Sequence, residues 1–361
     1  MNDANELISF IASMSGEGNL RVEENLGEGY VRLRVSEAER RQAKHDIQHV
    51  EDIVIEMLRN ARDAGADKVY LATTKEEGVR TLLFLDNGSG VPQDMQERIF
   101  DARVTSKLES MKMDRWGVHG RGMALFSIKQ NTDEARVVTS GVDLGSAFKV
   151  CVATDRLGER ADQSSWPQAV KDEDGRCVCA RGPHNIIRAA CEFALEELRC
   201  CDVYLGSPSE IAATLYAQAS SRLDTSRLLF IDDECELPVV DRLGLASDAE
   251  DFIRICSGLG LEMSERTAHR ILSGQIKPVR GVTARLLRER DSTSQAPAPV
   301  DLAKDRRGLR IAKDDMAQFS RAVERDFNDL AARYYLNLCG DPKIRVSRDR
   351  ITVTFDLAKE E

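Results

Sequence analysis

Glu56, Asn60 and Asp63 stand at i, i+4 and i+7 in Asp52-Ile-Val-Ile-Glu-Met-Leu-Arg-Asn-Ala-Arg-Asp-Ala64, so a helix there places two carboxylates and a carboxamide on one face. The rest of that helix is rich in Ile, Val, Met, Leu and Ala, which bury. Polar groups on a mostly buried helix need partners, because each one left unsatisfied costs about 1–3 kcal/mol. A ligand with a metal ion would supply them; a stripe turned to solvent would need none. In Asp86-Asn-Gly-Ser-Gly-Val-Pro92 a carboxylate ends a strand-like run. It can accept from an exocyclic amine while Gly88 and Gly90 turn the chain around a planar ring. An Asx-type hairpin turn has the same composition. Trp116-Gly-Val-His-Gly-Arg-Gly-Met-Ala-Leu-Phe126 sets Gly117, Gly120 and Gly122 before an apolar helix. Bare amides at a helix start form an anion site, although many flexible loops carry such glycines.

These residues require a particular set of elements to bring them together. A helical stretch runs from Ser36 to Ala64 and stops at Gly65. Strands follow at Lys68 to Thr73 and Arg80 to Leu85, and the polar segment from Val91 to Arg115 reads as a mobile loop holding a short helix. A helix from Met123 to Gln130 and strands at Ala135 to Ser140 and Ser146 to Ala153 complete the set. The order α-β-β-loop-α-β-β predicts an α/β sandwich, with helices on a mixed, mainly antiparallel sheet, rather than a parallel βαβ series.

In this order and spacing, EMLRNARDAGA, DNGSGVP and GVHGRGMALFSI resemble the three signatures of the GHKL (Bergerat-fold) ATPase superfamily. That superfamily includes MutL mismatch-repair proteins, DNA gyrase B, type IIB topoisomerase B subunits, ninety-kilodalton heat-shock chaperones and sensor histidine kinases. The resemblance covers residues 40–153, and Arg98-Ile-Phe-Asp-Ala-Arg-Val-Thr-Ser-Lys107 looks like the entry to the family's lid, in the MutL style. It implies ATP and Mg²⁺ as cofactors. Asn60 corresponds to the Mg²⁺ ligand, Glu56 to the general base that activates water, and Asp86 to the adenine-recognising carboxylate. Asp63 shares their helix face, and Gly88 and Gly90 let the base approach. Gly117, Gly120 and Gly122 would cradle the phosphates, with Lys107 reaching the γ-phosphate from the lid. Ser146, in Leu-Gly-Ser-Ala, stands where many members have Gly-Thr and would support the aspartate and its water. His119 either donates to a phosphate or is solvated. His45 lies fifteen residues before Asn60, inside the nucleotide domain. That leaves no room for a separate phosphoacceptor domain, so ATP hydrolysis rather than phosphotransfer to histidine is the expected activity.

The chain of 361 residues exceeds one compact unit, and the expected division is 1–155 for nucleotide binding and 156–246 for a small α/β unit, transducer-like only by analogy. A helical segment follows at 247–291, then a linker at 292–300 (Ser292-Thr-Ser-Gln-Ala-Pro-Ala-Pro299), then a helix from Lys313 to Leu338 and a hairpin turning at Arg348-Asp349-Arg350. A net charge of −10 argues against a general polyanion binder. Against that background, Ser264 to Arg290 holds seven Arg or Lys and two Glu, a local +5. Ser264 reads as the cap of a second helix in a helix-turn-helix-like pair whose Arg266, His269 and Arg270, with Lys277 and Arg280, are candidate DNA contacts. A helical hairpin with a solvated basic face has the same pattern, and two extra residues separate its turn glycine from the serine. Cys177-x-Cys179 with Cys200-Cys201 matches no common structural zinc spacing. No apolar stretch approaches the ~20 residues of a membrane span and no export signal is evident, which predicts a cytoplasmic protein without a membrane partner. The expected behaviour is an ATPase whose lid closure and nucleotide-dependent homodimerisation drive a DNA-associated process. The alternative is a chaperone-like switch that grips an unknown protein partner.

Overall fold

The computed structural model describes residues 22–106, 112–119, 122–160, 162–171, 177–198, 200–223, 233–287, 313–334, 336–340, 342–346 and 351–359. They fall into two units, 1–291 and 292–361. The linker at 292–300, the turn at 348–350 and the site candidates Lys107 and Gly120 lie outside the described residues.

The first unit opens with strands β1 (Val22–Gly27) and β2 (Tyr30–Leu33), then helices α1 (Glu37–Asp46) and α2 (Val50–Asp63). Sequence patterning predicts one helix here, and the structure breaks it at 47–49. The Asp52 carboxylate accepts the amides of Gln48 and His49, each at 2.9 Å, and so caps a fresh start. Ser36 caps α1 in the same manner, reciprocally with Glu39. Gly65, at φ +76, ends the run after α2. There follow β3 (Lys68–Glu76), β4 (Val79–Asp86), two 3₁₀ turns, β5 (Val104–Thr105), and a hairpin of β6 (Lys112–Asp114) with β7 (Gly117–His119). Next come α3 (Ala124–Asn131), β8 (Glu134–Ser140), β9 (Ser146–Ala153), β10 (Gln168–Lys171), β11 (Cys177–Arg181), α4 (Ile186–Glu196), β12 (Asp202–Gly206), α5 (Pro208–Arg222), α6 (Ala249–Gly258) and α7 (Glu265–Leu272).

The central sheet has the order β12-β3-β4-β9-β8. Its four inner and right-hand strands pair antiparallel, while β12 runs parallel to β3 from Asp202 opposite Lys68 to Gly206 opposite Ala72. It is therefore the mixed, mainly antiparallel sheet that the sequence predicts. The pleat sends Val69, Leu71, Leu82 and Phe84 into one core, with α2 and α4. Tyr70, Ala72, Leu83 and Leu85 enter a second core, with α5, α6 and α7. Both faces are covered, which is why β3 and β4 read as continuous apolar runs rather than alternating ones.

A boundary at residue 155 does not appear in this topology. Residues 156–246 supply β12 to the edge of the sheet and α4 to its first core, and residues 247–291 supply α6 and α7 to its second. Strand periodicity identifies β12 as a strand but carries no information about its neighbour. The second unit holds α8 (Lys313–Ala331), β13 (Leu336–Leu338) paired with β16 (Leu357–Lys359), and β14 (Lys343–Val346) paired with β15 (Ile351–Thr354). Its helix stops seven residues before the expected Leu338, after which β13 pairs with a strand the sequence pattern did not reveal.

Among the described residues no group of three or more His, Cys, Asp or Glu is arranged to hold a metal, and no helix is long and apolar enough to cross a membrane. Cys191, Cys201 and Cys256 are buried, whereas Cys200, Cys235 and Cys339 are exposed. Burial pushes the Cys201 and Cys256 thiols up to about 12. The thiolate is the reactive form, so raising its pKa suppresses alkylation. Iodoacetamide at mildly alkaline pH should label Cys200, Cys235 and Cys339 in the native protein and spare Cys191, Cys201 and Cys256 until denaturant is added, as peptide mass spectrometry can read.

Candidate nucleotide-binding site

A cleft of about 550 Å³ opens between α2, the ends of β4 and β9, and the chain around Val104 and Met123. That volume lies within the range of small-molecule and cofactor sites. Helix α2 faces the first core with Val50, Ile53, Val54, Met57 and Leu58, and this rotation turns Glu56, Asn60 and Asp63 to the cleft. The helix-face expectation thus matches their placement.

Charge compensation on this helix is local. Arg59, 2% exposed, donates from Nη1 to Glu56 Oε1 at 2.6 Å and from Nε to Asp114 Oδ2 at 2.9 Å. Arg62 bonds Asp63 at 3.0 Å, Asp114 at 3.2 Å and Glu197 of α4 at 2.9 Å. The Asn60 carboxamide stands apart from these pairs. Among the described residues nothing satisfies its buried Nδ2, and a lining group of this kind favours a ligand that brings acceptors.

Asp86 ends β4 and is 4% exposed, with Val69 opposite on β3 and Ser146 opposite on β9. Its Oδ1 accepts the Gly88 amide at 2.8 Å, so one oxygen serves the Asx turn while the residue also lines the cleft. The turn is pressed between neighbours. The Ser89 amide donates to Ala64 O at 2.8 Å, and a Cβ on Gly88 would lie 2.8 Å from that same oxygen. Gly90 has φ +69, and a Cβ there would fall 1.8 Å from Gly141 O. A Cβ on Gly145 would meet Asp86 O at 2.1 Å. Two loops therefore cross backbone against backbone beside Asp86. The Ser140 hydroxyl, which sequence reasoning missed, links them: it accepts the Val91 amide at 2.8 Å, donates to Gly145 O at 2.9 Å and lies 3.0 Å from Ser146 Oγ.

On the far side Gly122 lines the cleft at φ +67, packed on Val104 O, and accepts the Arg103 amide at 2.8 Å. Gly117 has a different setting from the expected helix start. It pairs with Asp114 in the β6–β7 hairpin, and α3 begins only at Ala124. Residues that sequence reasoning passed over also line the cleft. Arg103 is a buried non-glycine residue at φ +60 that is ion-paired with Glu39 of α1, and Thr105 and Trp116 stand near it in the lining. A cation and a hydroxyl inside the lid-entry stretch were the available signal, as was Arg59 on a largely apolar helix.

Elsewhere on this unit, Ser264 caps α7, accepting the Thr267 amide. Ala268 and Ile271 bury its inner face, while Arg266, His269 and Arg270 are exposed. Lys277 and Arg280 are exposed beyond it, and Glu265 stands 3.7 Å from His269.

Replacing Gly90 with alanine should drive a Cβ into Gly141 O at a left-handed backbone position. The strain cost exceeds about 1 kcal/mol. A lowered Tm in thermal unfolding, together with weakened nucleotide binding by calorimetry, is the expected outcome.

Residues 47–147 match the family model for histidine kinase-, DNA gyrase B- and HSP90-like ATPases. The chain is 34% identical over 112 residues to the DNA mismatch repair protein MutL of Brucella abortus (strain S19), covering 31% of this chain and 18% of that protein. The MutL proteins of Thermodesulfovibrio yellowstonii and Pediococcus pentosaceus are each 31% identical, over 107 and 115 residues, covering 29% and 31% of this chain and 19% and 17% of theirs. The chain thus matches less than a fifth of the length of these relatives. The crystal structure of full-length ShkA in complex with AMPPNP aligns over 76% of this chain and 63% of its own at 14% identity, but with a TM-score of 0.22, which carries no inference. The family match falls on the segment that builds the cleft, and together with the MutL similarity it assigns residues 47–147 to the GHKL superfamily.

Proposed function

We propose that this chain binds Mg–ATP in the cleft and hydrolyses it slowly, and that the nucleotide state controls lid closure, self-association and a DNA-associated process in repair, topology or defence. The observation that carries the proposal is the buried Asn60 Nδ2, without a hydrogen-bond partner among the described residues, in a cleft it shares with Glu56, Asp63 and Asp86. Those groups fit the cofactors. A phosphate oxygen can accept the amide N–H, and the carboxamide oxygen suits a hard cation such as Mg²⁺. When bound, Mg²⁺ supplies charge neutralisation to the phosphates. Glu56 then takes a proton from water, and Asp86 accepts from the adenine amine with Ser146 beside it. Gly122, with Gly120, lets backbone approach the phosphates, and Lys107 reaches the γ-phosphate from the lid. ATP completes the site, so its binding favours the closed, self-associated form, and hydrolysis resets it.

The DNA part of the proposal is supported by the outward basic face of α7 and the segment after it. Five cationic or titratable side chains there face solvent while the inner face of α7 is held in the core. Phosphate contacts by such side chains are salt-dependent and tolerant of sequence.

Asp86→Asn should abolish ATP binding in calorimetry, and normal affinity in that variant would remove the adenine assignment. Glu56→Ala should bind ATP with Mg²⁺ yet release phosphate only at a small residual rate; undiminished turnover would place the base elsewhere. Fluorescence anisotropy with a DNA duplex at two salt concentrations should show binding at low salt that weakens at high salt and falls further in Arg266→Ala/Arg270→Ala. No binding at low salt would leave an ATP switch acting on a protein.

A further inference from the structure

The proposed chemistry leaves one buried cation at the cleft without a role. Arg59 is nearly sealed from solvent, yet it is neither a ligand candidate nor remote from the site. Its Nη1 holds Glu56 Oε1 at 2.6 Å, and its Nε holds Asp114 Oδ2 at 2.9 Å. Asp114 belongs to the β6–β7 hairpin. It pairs with Gly117 across the hairpin, and its Oδ1 accepts the Trp116 amide at 3.0 Å. Three residues beyond that hairpin the chain reaches Gly122 on the cleft wall. A single planar guanidinium thus bridges a carboxylate facing the cleft and the hairpin that precedes the phosphate-side loop. The rigid fork of arginine makes two such bonds in fixed directions, which the single ammonium of lysine cannot reproduce.

We infer that Arg59 is a positioning residue for Glu56: it orients the carboxylate toward the cleft according to the placement of the 112–119 hairpin, so water activation depends on that hairpin being docked. The inference rests on Glu56 being the hydrolytic base. A carboxylate held through one oxygen by a buried donor keeps its orientation with little entropy loss during reaction, and small misplacements of a base are costly to rate. Simple charge compensation would also bury Arg59 beside acidic groups, but the two roles part experimentally. Loss of compensation lowers stability and ligand affinity together with turnover. Loss of positioning lowers turnover alone.

The test uses the full chain, with ATP affinity from calorimetry and turnover from phosphate release at saturating Mg–ATP. Asp114→Asn is the primary variant, because it is isosteric and keeps an acceptor for the Trp116 amide while removing the charge that Arg59 grips. It should bind ATP within about threefold of the parent and turn over about tenfold more slowly. Arg59→Lys should follow the same split. In a Glu56→Ala background, Asp114→Asn should change residual turnover no further, since there is nothing left to position. Turnover that requires Glu56 but is unaffected by Asp114→Asn overturns the inference and leaves the base assignment standing. Parallel losses of affinity and turnover also overturn it, in favour of charge compensation. Turnover that survives Glu56→Ala removes the base assignment and this coupling with it. If Arg59→Lys does not fold, Asp114→Asn and the double variant decide.

Discussion

Four carboxylates, from Glu56, Asp63, Asp114 and Glu197, converge on one side of α2, and two arginines of the same helix hold them together. Burying one such group without a partner costs several kcal/mol, so the elements that carry them can pack only in the arrangement that satisfies Arg59 and Arg62. The network binds α2 to the β6–β7 hairpin and to α4, and the walls of the cleft follow from that. Among these six described residues, four formal negative charges stand against two positive. The proposed triphosphate would meet these carboxylates as repulsion, which the proposed divalent cation would offset. The polar composition of α2 therefore serves the fold and the proposed cofactor together.

Much of this was legible in the amino-acid order where the information is local. The i, i+4, i+7 stripe on α2, the strand ends at Asp86 and Ser146 and the Ser264 cap are each decided by a few neighbouring residues. Long-range information was the missing part. Arg59 reads as one more residue of an apolar helix because its partner Asp114 lies 55 positions away. Ser140 gains meaning only where two loops cross. Gly117 was read with the glycines after it, since a glycine-rich run has no feature marking where a hairpin ends and a helix approach begins. The break at 47–49 was missed for a local reason: Asp52 can be a surface residue of one long helix or the cap of a second, and helical periodicity favours both.

The crossing beside Asp86 sets a tolerance on the site. Gly90 and Gly145 bring bare backbone to bare backbone, so the Asp86 carbonyl and the neighbouring loops share a fixed separation. A carboxylate held in that way is preorganised by close backbone contacts rather than by side-chain packing.

Strand β12 has a further consequence. It arrives from beyond residue 200 and lies in register along β3, while α4, just ahead of it, shields the flank of α2. A fragment cut after the last residue of the family match would bare a row of amides and carbonyls on β3 together with the greasy side of the helix that carries Asn60. Such a fragment is a half-built object, prone to stick to its own kind.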